Sequence, residues 1–162
     1  MDKVKFVFTN PVAWRGMLWT QLPLAGFAGL KIERLDDTGA EVSLPGGWKT
    51  RNPFGSTYFA AQAMAAEMST GAPALWFIDR TGVKVSSLVT GLSAKFTKQA
   101  RSEARFVFDQ GAGMRAAIEK AAGSAEPVTY TARSVGKTAD GTQVAEFTVE
   151  WSFKRKSPKP RG

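Results

Sequence analysis

The stretch 51–71, RNPFGSTYFAAQAMAAEMSTG, constrains the fold of this chain more than any other. It begins with a turn sequence and continues as a helix of small and apolar residues, in which Glu67 is the one formal charge between Phe54 and Ile78. A helix with a solvent-facing side normally carries several charges there, so the pattern predicts a helix buried between other elements. Because burying a carboxylate costs free energy, Glu67 is a candidate functional residue; the alternative is a solvent-facing helix glutamate.

Two elements are predicted before this helix. Asn10 is suited to cap a short helix that has Pro11 at its first position and ends before Pro23. The runs 29–35 and 40–45 alternate apolar and polar residues and are joined by the turn sequence DDTG. This pattern predicts a β-hairpin.

The C-terminal end of the central helix is predicted from Gly71 and Pro73, which are typical of a helix stop. The apolar run 74–78 is consistent with either a buried strand or the tail of the helix. A long strand is predicted over 83–97, and a bulge is expected at residues 86–87, where the apolar residues change parity.

Further alternating runs complete a mostly antiparallel sheet. The elements predicted there are strands over 102–109, 127–135 and 142–154, and a short amphipathic helix over 113–123. A sheet with one apolar face and a helix that is apolar on every side can bury each other, so we expect a curved sheet wrapped around the central helix. A second copy of the chain would cover the rest of that helix, which predicts a dimer.

The net charge of +8 raises the question of nucleic-acid binding. Much of this charge lies in the last nine residues, KRKSPKPRG, and the segment 155–162 is predicted to be a disordered basic tail. The remaining basic residues could attract a phosphorylated small molecule or could simply keep the protein soluble. No nucleic-acid recognition motif is present, so we expect no nucleic-acid partner.

The chain contains neither cysteine nor histidine. Their absence excludes Ser-His-Asp and Cys-His catalysis, disulfides, and histidine-ligated zinc or iron. No apolar run is long enough to span a membrane, and the start of the chain lacks the features of a secretory signal. A cytoplasmic location is therefore expected.

The order of the predicted elements resembles the hot-dog fold, an α+β architecture found in many acyl-CoA thioesterases. The spacing of a group of residues at the start of the central helix is similar to that in the phenylacetate-type thioesterases and in a related hot-dog family with no settled function. Their pattern has Asn, then Gly, usually His, two small residues, and an acidic residue fifteen positions after the Asn. The matching residues here are Asn52, Gly55, Tyr58, Phe59, Ala60 and Glu67. The implied organisation is an N-terminal helical flank at 1–28, a hot-dog domain at 29–154 and the tail.

The resemblance implies an acyl-CoA thioesterase that needs no metal and no organic cofactor, with coenzyme A entering as part of the substrate. The backbone N–H of Phe59 would hold the oxyanion at the positive end of the helix. Glu67, two turns further on, would act as general base or nucleophile, within one chain or across a dimer interface. Asn52 would orient the carbonyl or the water, although a turn or N-cap role explains Asn52 nearly as well.

Substrate contacts are implied for Gly55, Tyr58 and Ala60, and Lys98 and Arg101 could meet the phosphates of coenzyme A or form a solvated pair at a strand end. Tyr58 replaces the usual histidine, and larger residues replace the two small ones that follow it. A non-catalytic hot-dog module that binds an acyl or aromatic ligand is therefore the alternative function. The expected assembly is a homodimer or a dimer of dimers.

Overall fold

The computed structural model describes residues 3–156, in which one long helix packs on a six-stranded antiparallel sheet. The helices are α1 (Lys3–Thr9), α2 (Pro11–Gln21), α3 (Pro23–Ala28), α4 (Phe59–Arg80) and α5 (Gly111–Ala122). The strands are β1 (Lys31–Asp36), β2 (Gly39–Leu44), β3 (Val85–Phe96), β4 (Ala104–Phe108), β5 (Val128–Thr138) and β6 (Gln143–Arg155). Their order in the sheet is β1-β2-β4-β5-β6-β3, so β1 and β3 form the two edges.

Small residues let α4 approach the sheet closely. Ala65 and Ala66 are fully buried, and α4 packs against β2, β4 and β5. The hydroxyl groups of Ser69 on α4 and Ser134 on β5 lie 2.8 Å apart, which joins helix and sheet through a buried hydrogen bond. The predicted α+β hot-dog fold, with a curved antiparallel sheet around a long central helix, is confirmed.

The predicted elements before α4 are also confirmed. Asn10 caps α2, because its side-chain Oδ1 accepts hydrogen bonds from the N–H groups of Val12 and Ala13, each at 3.1 Å. Strands β1 and β2 form the predicted hairpin. Near its turn, Asp36 accepts hydrogen bonds from Thr38 and Arg34; although burial opposes ionisation, these bonds hold the pKa of Asp36 at about 2.

The predicted end of the central helix at Gly71 and Pro73 is wrong, because α4 continues to Arg80. The run 74–78, for which a strand and a helix tail were both possible, is therefore the tail of the helix. Both local stop signals are buried within α4, and the packing of this helix outweighs their unfavourable helix propensity. Gly71 also has a packing role, because the side chains of Glu67 and Trp151 occupy the space beside it.

The bulge in β3 lies at Gly91 and not at residues 86–87. The pairing of β3 with β6 is regular at 86–87, and its register shifts just before Gly91. A Cβ atom on Gly91 would lie 2.6 Å from Oε2 of Glu150, so a side chain at the bulge would displace the Glu150 carboxylate. The prediction assumed that the later apolar residues are buried, whereas Leu88 and Leu92 are 64% and 51% exposed in the single chain.

Three short helices form the N-terminal flank, of which only α2 was predicted. Phe8 of α1 and Trp14 of α2 meet edge to face at 5.8 Å, and Trp14 Nε1 donates a hydrogen bond to the carbonyl oxygen of Leu30. The predicted tail lies outside the described residues from 157 onwards, and Arg155 is the last residue of β6. Within residues 3–156, no helix has the length and apolar character needed to cross a membrane.

Candidate active site

Asn52 organises the loop that leads into α4. Its Oδ1 accepts hydrogen bonds from the N–H groups of Phe54 and Ser56 at 3.0 and 3.2 Å, and its Nδ2 donates to Ser56 Oγ at 3.1 Å. Gly55 completes the turn with a φ of 78°, a backbone conformation that favours glycine. These are the bonds of a turn residue, the second of the two roles expected for Asn52.

The N-terminus of α4 follows this loop and is open. Tyr58 occupies the N-cap position without a capping side-chain hydrogen bond, and its carbonyl oxygen accepts from the N–H groups of Ala61 and Gln62. Among residues 3–156, no acceptor pairs with the N–H groups of Phe59 or Ala60. Both N–H groups therefore remain available at the positive end of the helix dipole.

Two aromatic rings stand at this helix end. The rings of Tyr58 and Phe59 meet edge to face at 4.9 Å, and their side chains are 47% and 57% exposed in the single chain. Ala60, the next residue of α4, is half-buried. A ligand that reaches the open N–H groups must therefore pass beside two exposed aromatic side chains.

Glu67 lies at a different place, in the wall of an apolar cleft between the N-terminal flank and α4. Its carboxylate is directed over Gly71, since a Cβ atom on Gly71 would lie 3.0 Å from Oε1 and 3.5 Å from the ring of Trp151. The cleft has a volume of about 700 Å³. Burial raises the pKa of the Glu67 carboxyl above its ordinary value, because the charged form is poorly solvated there.

Within one chain, Glu67 and the open N–H groups are separated. Phe59 begins α4 and Glu67 lies two turns later, roughly 12 Å along the helix axis. The carboxylate is also directed towards Gly71, away from the start of the helix. The structure therefore brings Asn52, Gly55, Tyr58, Phe59 and Ala60 together and leaves Glu67 outside this group.

The predicted phosphate-binding residues lie near the start of α4. The loop that carries them is joined to the α4 entry loop by a hydrogen bond from the N–H of Thr57 to the carbonyl oxygen of Ala100, at 2.7 Å. Arg101 lines a cleft of about 170 Å³ together with Gly55 and Arg51. Arg101 and Lys98 also line an adjoining open cleft. Two positive charges, those of Arg51 and Arg101, thus lie in the cleft beside the α4 entry loop.

Three residues near the site were missed by the sequence analysis. Arg51 directly precedes Asn52, and its charge was the available signal. Gln62 is buried, donates from Nε2 to the carbonyl oxygen of Thr57, and has no partner for Oε1 among residues 3–156. Trp151 beside Glu67 lies on the predicted apolar face of β6, but periodicity alone does not say which helix residue it meets.

The described residues hold no group of three or more His, Cys, Asp or Glu side chains arranged to bind a metal ion. The acidic side chains near the site are few, because Glu67 is the single acidic residue of α4 before Asp79.

Comparison with known proteins gives a family and a fold. Residues 14–153 match the family model described as "Domain of unknown function (DUF4442)". A Pseudomonas aeruginosa protein of unknown function, described as a probable thioesterase, superposes with a TM-score of 0.77 at 22% identity, covering 90% of this chain and 97% of its own. A Chlorobaculum tepidum protein of unknown function gives 0.76 at 12%, covering 95% of both chains.

A third similar structure is a thioesterase from Haemophilus influenzae, with a TM-score of 0.64 at 12% identity, covering 93% of this chain and 94% of its own. No curated protein matches the sequence. At these identities the structural matches show a shared fold.

Proposed function

The chain belongs to the DUF4442 family, and we propose that it is a homodimeric thioesterase that hydrolyses an acyl-CoA or a similar thioester. The observation that carries the proposal is the placement of Glu67, the one carboxylate of α4 before Asp79, in the wall of an apolar cleft where burial raises its pKa. A carboxylate whose pKa is raised is a stronger base towards water. The fold shared with proteins described as thioesterases supports the same reaction class.

In the proposed reaction, Glu67 removes a proton from a water molecule as the water oxygen attacks the thioester carbonyl carbon. The carbonyl oxygen becomes an oxyanion, which accepts a hydrogen bond from the N–H of Phe59 at the positive end of α4. When the intermediate collapses, the carbon–sulfur bond breaks and the proton passes from Glu67 to the leaving thiolate. The products are a carboxylic acid and free coenzyme A. Direct attack by the Glu67 carboxylate, through a mixed anhydride that water then hydrolyses, is the nucleophilic variant of this mechanism.

The N–H of Phe59 and the carboxylate of Glu67 must both lie within hydrogen-bond reach of the reacting atoms. Within one chain the two groups are too far apart for this. A dimer would resolve this, with the N–H of Phe59 from one chain and Glu67 from the other in one site. Each isologous dimer would then contain two such sites.

The edge strand β3 supports this assembly. Its outer side has no partner strand among residues 3–156, and it exposes Leu88, Leu92 and Phe96, the last at 49%. An unpaired edge with exposed apolar residues favours pairing with another strand. Pairing between two β3 strands would extend the sheet and cover these side chains.

Substrate binding is proposed at the entrance to α4. Lys98 and Arg101, joined by Arg51, would bind the phosphates of coenzyme A, since Arg51 and Arg101 share one cleft. Gly55, Tyr58 and Ala60 would flank the thioester. Asn52 would act mainly through the turn that presents the N–H of Phe59, given that its side chain is hydrogen-bonded within that turn.

The alternative is a binding module without turnover. The observation that favours it is the pair of exposed rings of Tyr58 and Phe59, which narrows the approach to the open N–H groups. Thermal stabilisation by acyl-CoA without thiol release would support this alternative.

The test is free-thiol release from short-chain, long-chain and aromatic acyl-CoAs. Wild type should release thiol from at least one of them, and Glu67→Gln should abolish release while the protein stays folded. Glu126→Gln, which changes an exposed loop glutamate, is the matched control and should behave as wild type. An active Glu67→Gln enzyme would exclude Glu67 as the base or nucleophile.

A further inference from the structure

The cleft beside Glu67 is large enough to hold a small molecule. Its volume of about 700 Å³ lies inside the range of roughly 300–1,000 Å³ that is usual for small-molecule sites. The side chains of α1 and α2 form one wall and α4 forms the other. Apolar side chains dominate both walls, among them Val7, Trp14, Met17, Met68 and Leu75.

The cleft runs along α4. Glu67, Gly71 and Leu75 recur at four-residue intervals and therefore lie on one face of the helix, and Ile78 continues that face. All four line the cleft. From Glu67 to Ile78 the helix advances roughly 16 Å.

Three charged residues line the cleft. Lys3 is the first residue of α1, and Glu67 and Asp79 are the first and last α4 residues that line the cleft. The arginines proposed to bind phosphate, Arg51 and Arg101, do not line it. The middle of the cleft is thus suited to an uncharged apolar group and not to the nucleotide part of coenzyme A.

We propose that this cleft binds the acyl chain of the substrate, and that the N-terminal helices α1 and α2 set the preferred chain length. The inference rests on the proposed function, in which Glu67 faces the thioester. A fully extended chain advances by about 1.2 Å per bond, so a length of roughly 16 Å accommodates a saturated acyl chain of about a dozen carbons. The substrate class is therefore a long-chain aliphatic thioester.

The walls are built to hold such a chain. Trp14 is held by its hydrogen bond to Leu30 and by its contact with Phe8, which give its ring a defined place in the wall. Met17 and Met68 lie on opposite walls, and methionine side chains adapt readily to a flexible apolar ligand. Leu75 is half-exposed at the far end, so a larger residue there would shorten the cleft without entering the core.

The experiment measures binding of butyl, octyl, dodecyl and hexadecyl thioethers of coenzyme A by titration calorimetry. Thioethers lack the carbonyl group and are not hydrolysed, so binding is separated from catalysis. Affinity should rise by up to about fourfold per buried methylene and level off near the dodecyl chain. Leu75→Trp should move this plateau to a shorter chain. Leu24→Trp, the same change at an exposed leucine outside the cleft, should leave the plateau unchanged.

Affinity that does not depend on chain length, or a plateau that Leu75→Trp leaves in place, would overturn the inference. The proposed function is judged separately by thiol release. If the protein hydrolyses acyl-CoA through Glu67 but binds all thioethers equally, only the inference that the cleft binds the acyl chain is contradicted. Chain-length-dependent thioether binding without any thiol release would contradict hydrolysis alone.

Discussion

The carboxylate of Glu67 is directed over Gly71, one turn further along α4, and not back towards the open start of the helix. The space that a Cβ atom on Gly71 would take lies 3.0 Å from Glu67 Oε1. Glycine at position 71 thus leaves room for the carboxylate of the proposed base beside a buried helix. The direction of the carboxylate also separates the base from the N–H of Phe59 in the same chain, which is why the proposed site needs two chains.

Gly71→Ala should lower the kcat for thioester hydrolysis by about tenfold or more, because the added methyl group would displace the Glu67 carboxylate and catalysis is sensitive to small displacements. Folding should be retained, since alanine favours helix by roughly 1 kcal/mol relative to glycine. The control is Gly16→Ala, where a Cβ atom meets nothing within 4 Å. Thiol-release kinetics compare the two variants. A Gly71→Ala enzyme with the kcat of wild type would show that hydrolysis does not depend on the position of the Glu67 carboxylate beside Gly71.

The raised pKa of Glu67 predicts how stability depends on pH. The native protein binds the Glu67 proton more tightly than the unfolded chain does. The free energy of unfolding therefore falls as the pH rises from about 4.3, the pKa in the unfolded chain, to the pKa in the native protein. Above the native pKa, the contribution of Glu67 to the free energy of unfolding no longer changes with pH. Glu67→Gln removes the cost of the buried charge. It should therefore melt at a higher temperature than wild type at pH 8, and the difference should disappear below about pH 4.3.

Thermal melts across this pH range, with Glu126→Gln as control, measure the effect. A Glu67→Gln protein that melts below wild type at pH 8 would mean that the carboxylate makes a stabilising native contact.

Substitutions of Asn52 distinguish its role in forming the turn from a direct role in the proposed reaction. Asn52→Ala removes the acceptor for two backbone N–H groups and should cost about 1–2 kcal/mol of stability. Asn52→Asp keeps an oxygen acceptor at that position and should recover most of the stability and the hydrolysis rate. Chemical denaturation and thiol release measure both. Loss of activity in a stable Asn52→Asp protein would instead assign the side-chain amide a direct role in the reaction.

Strand positions were predictable because burial on one face imposes strict alternation. In β6 this pattern places Phe147, Val149 and Trp151 on the buried face, as observed. The same reasoning failed on the edge strand β3, where Leu88 and Leu92 are apolar but exposed in the single chain. Alternation alone does not distinguish a core face from a surface suited to a second chain.

The length of α4 and the wall of the cleft were not predictable from local pattern. Pro73 is a strong local stop, and only packing against the sheet, which is distant in sequence, overcomes it. The first helix, KVKFVFT, alternates in a way more typical of a strand, so its position against α4 has no local signal. The Asn52 to Glu67 spacing identified both residues, but the direction of the Glu67 carboxylate depends on contacts that sequence spacing does not contain.

The proposed site shared between two chains is best tested with two variants, each of which removes one of the two catalytic groups. Phe59→Pro removes the N–H, and proline is tolerated at the first position of a helix. Tyr58 already has the extended backbone, with φ of −60° and ψ of 135°, that suits a residue before proline. Phe59→Ala removes the ring and keeps the N–H, so it is the matched control and should remain active.

The decisive measurement is thiol release by Phe59→Pro and Glu67→Gln proteins, alone and after refolding together in equal amounts. Each should be an inactive dimer alone, as checked by light scattering. In a mixed dimer one of the two sites regains both groups, so the refolded mixture should recover about one quarter of wild-type activity. A mixture that recovers no activity would contradict a site in which Glu67 of one chain works with the Phe59 N–H of the other.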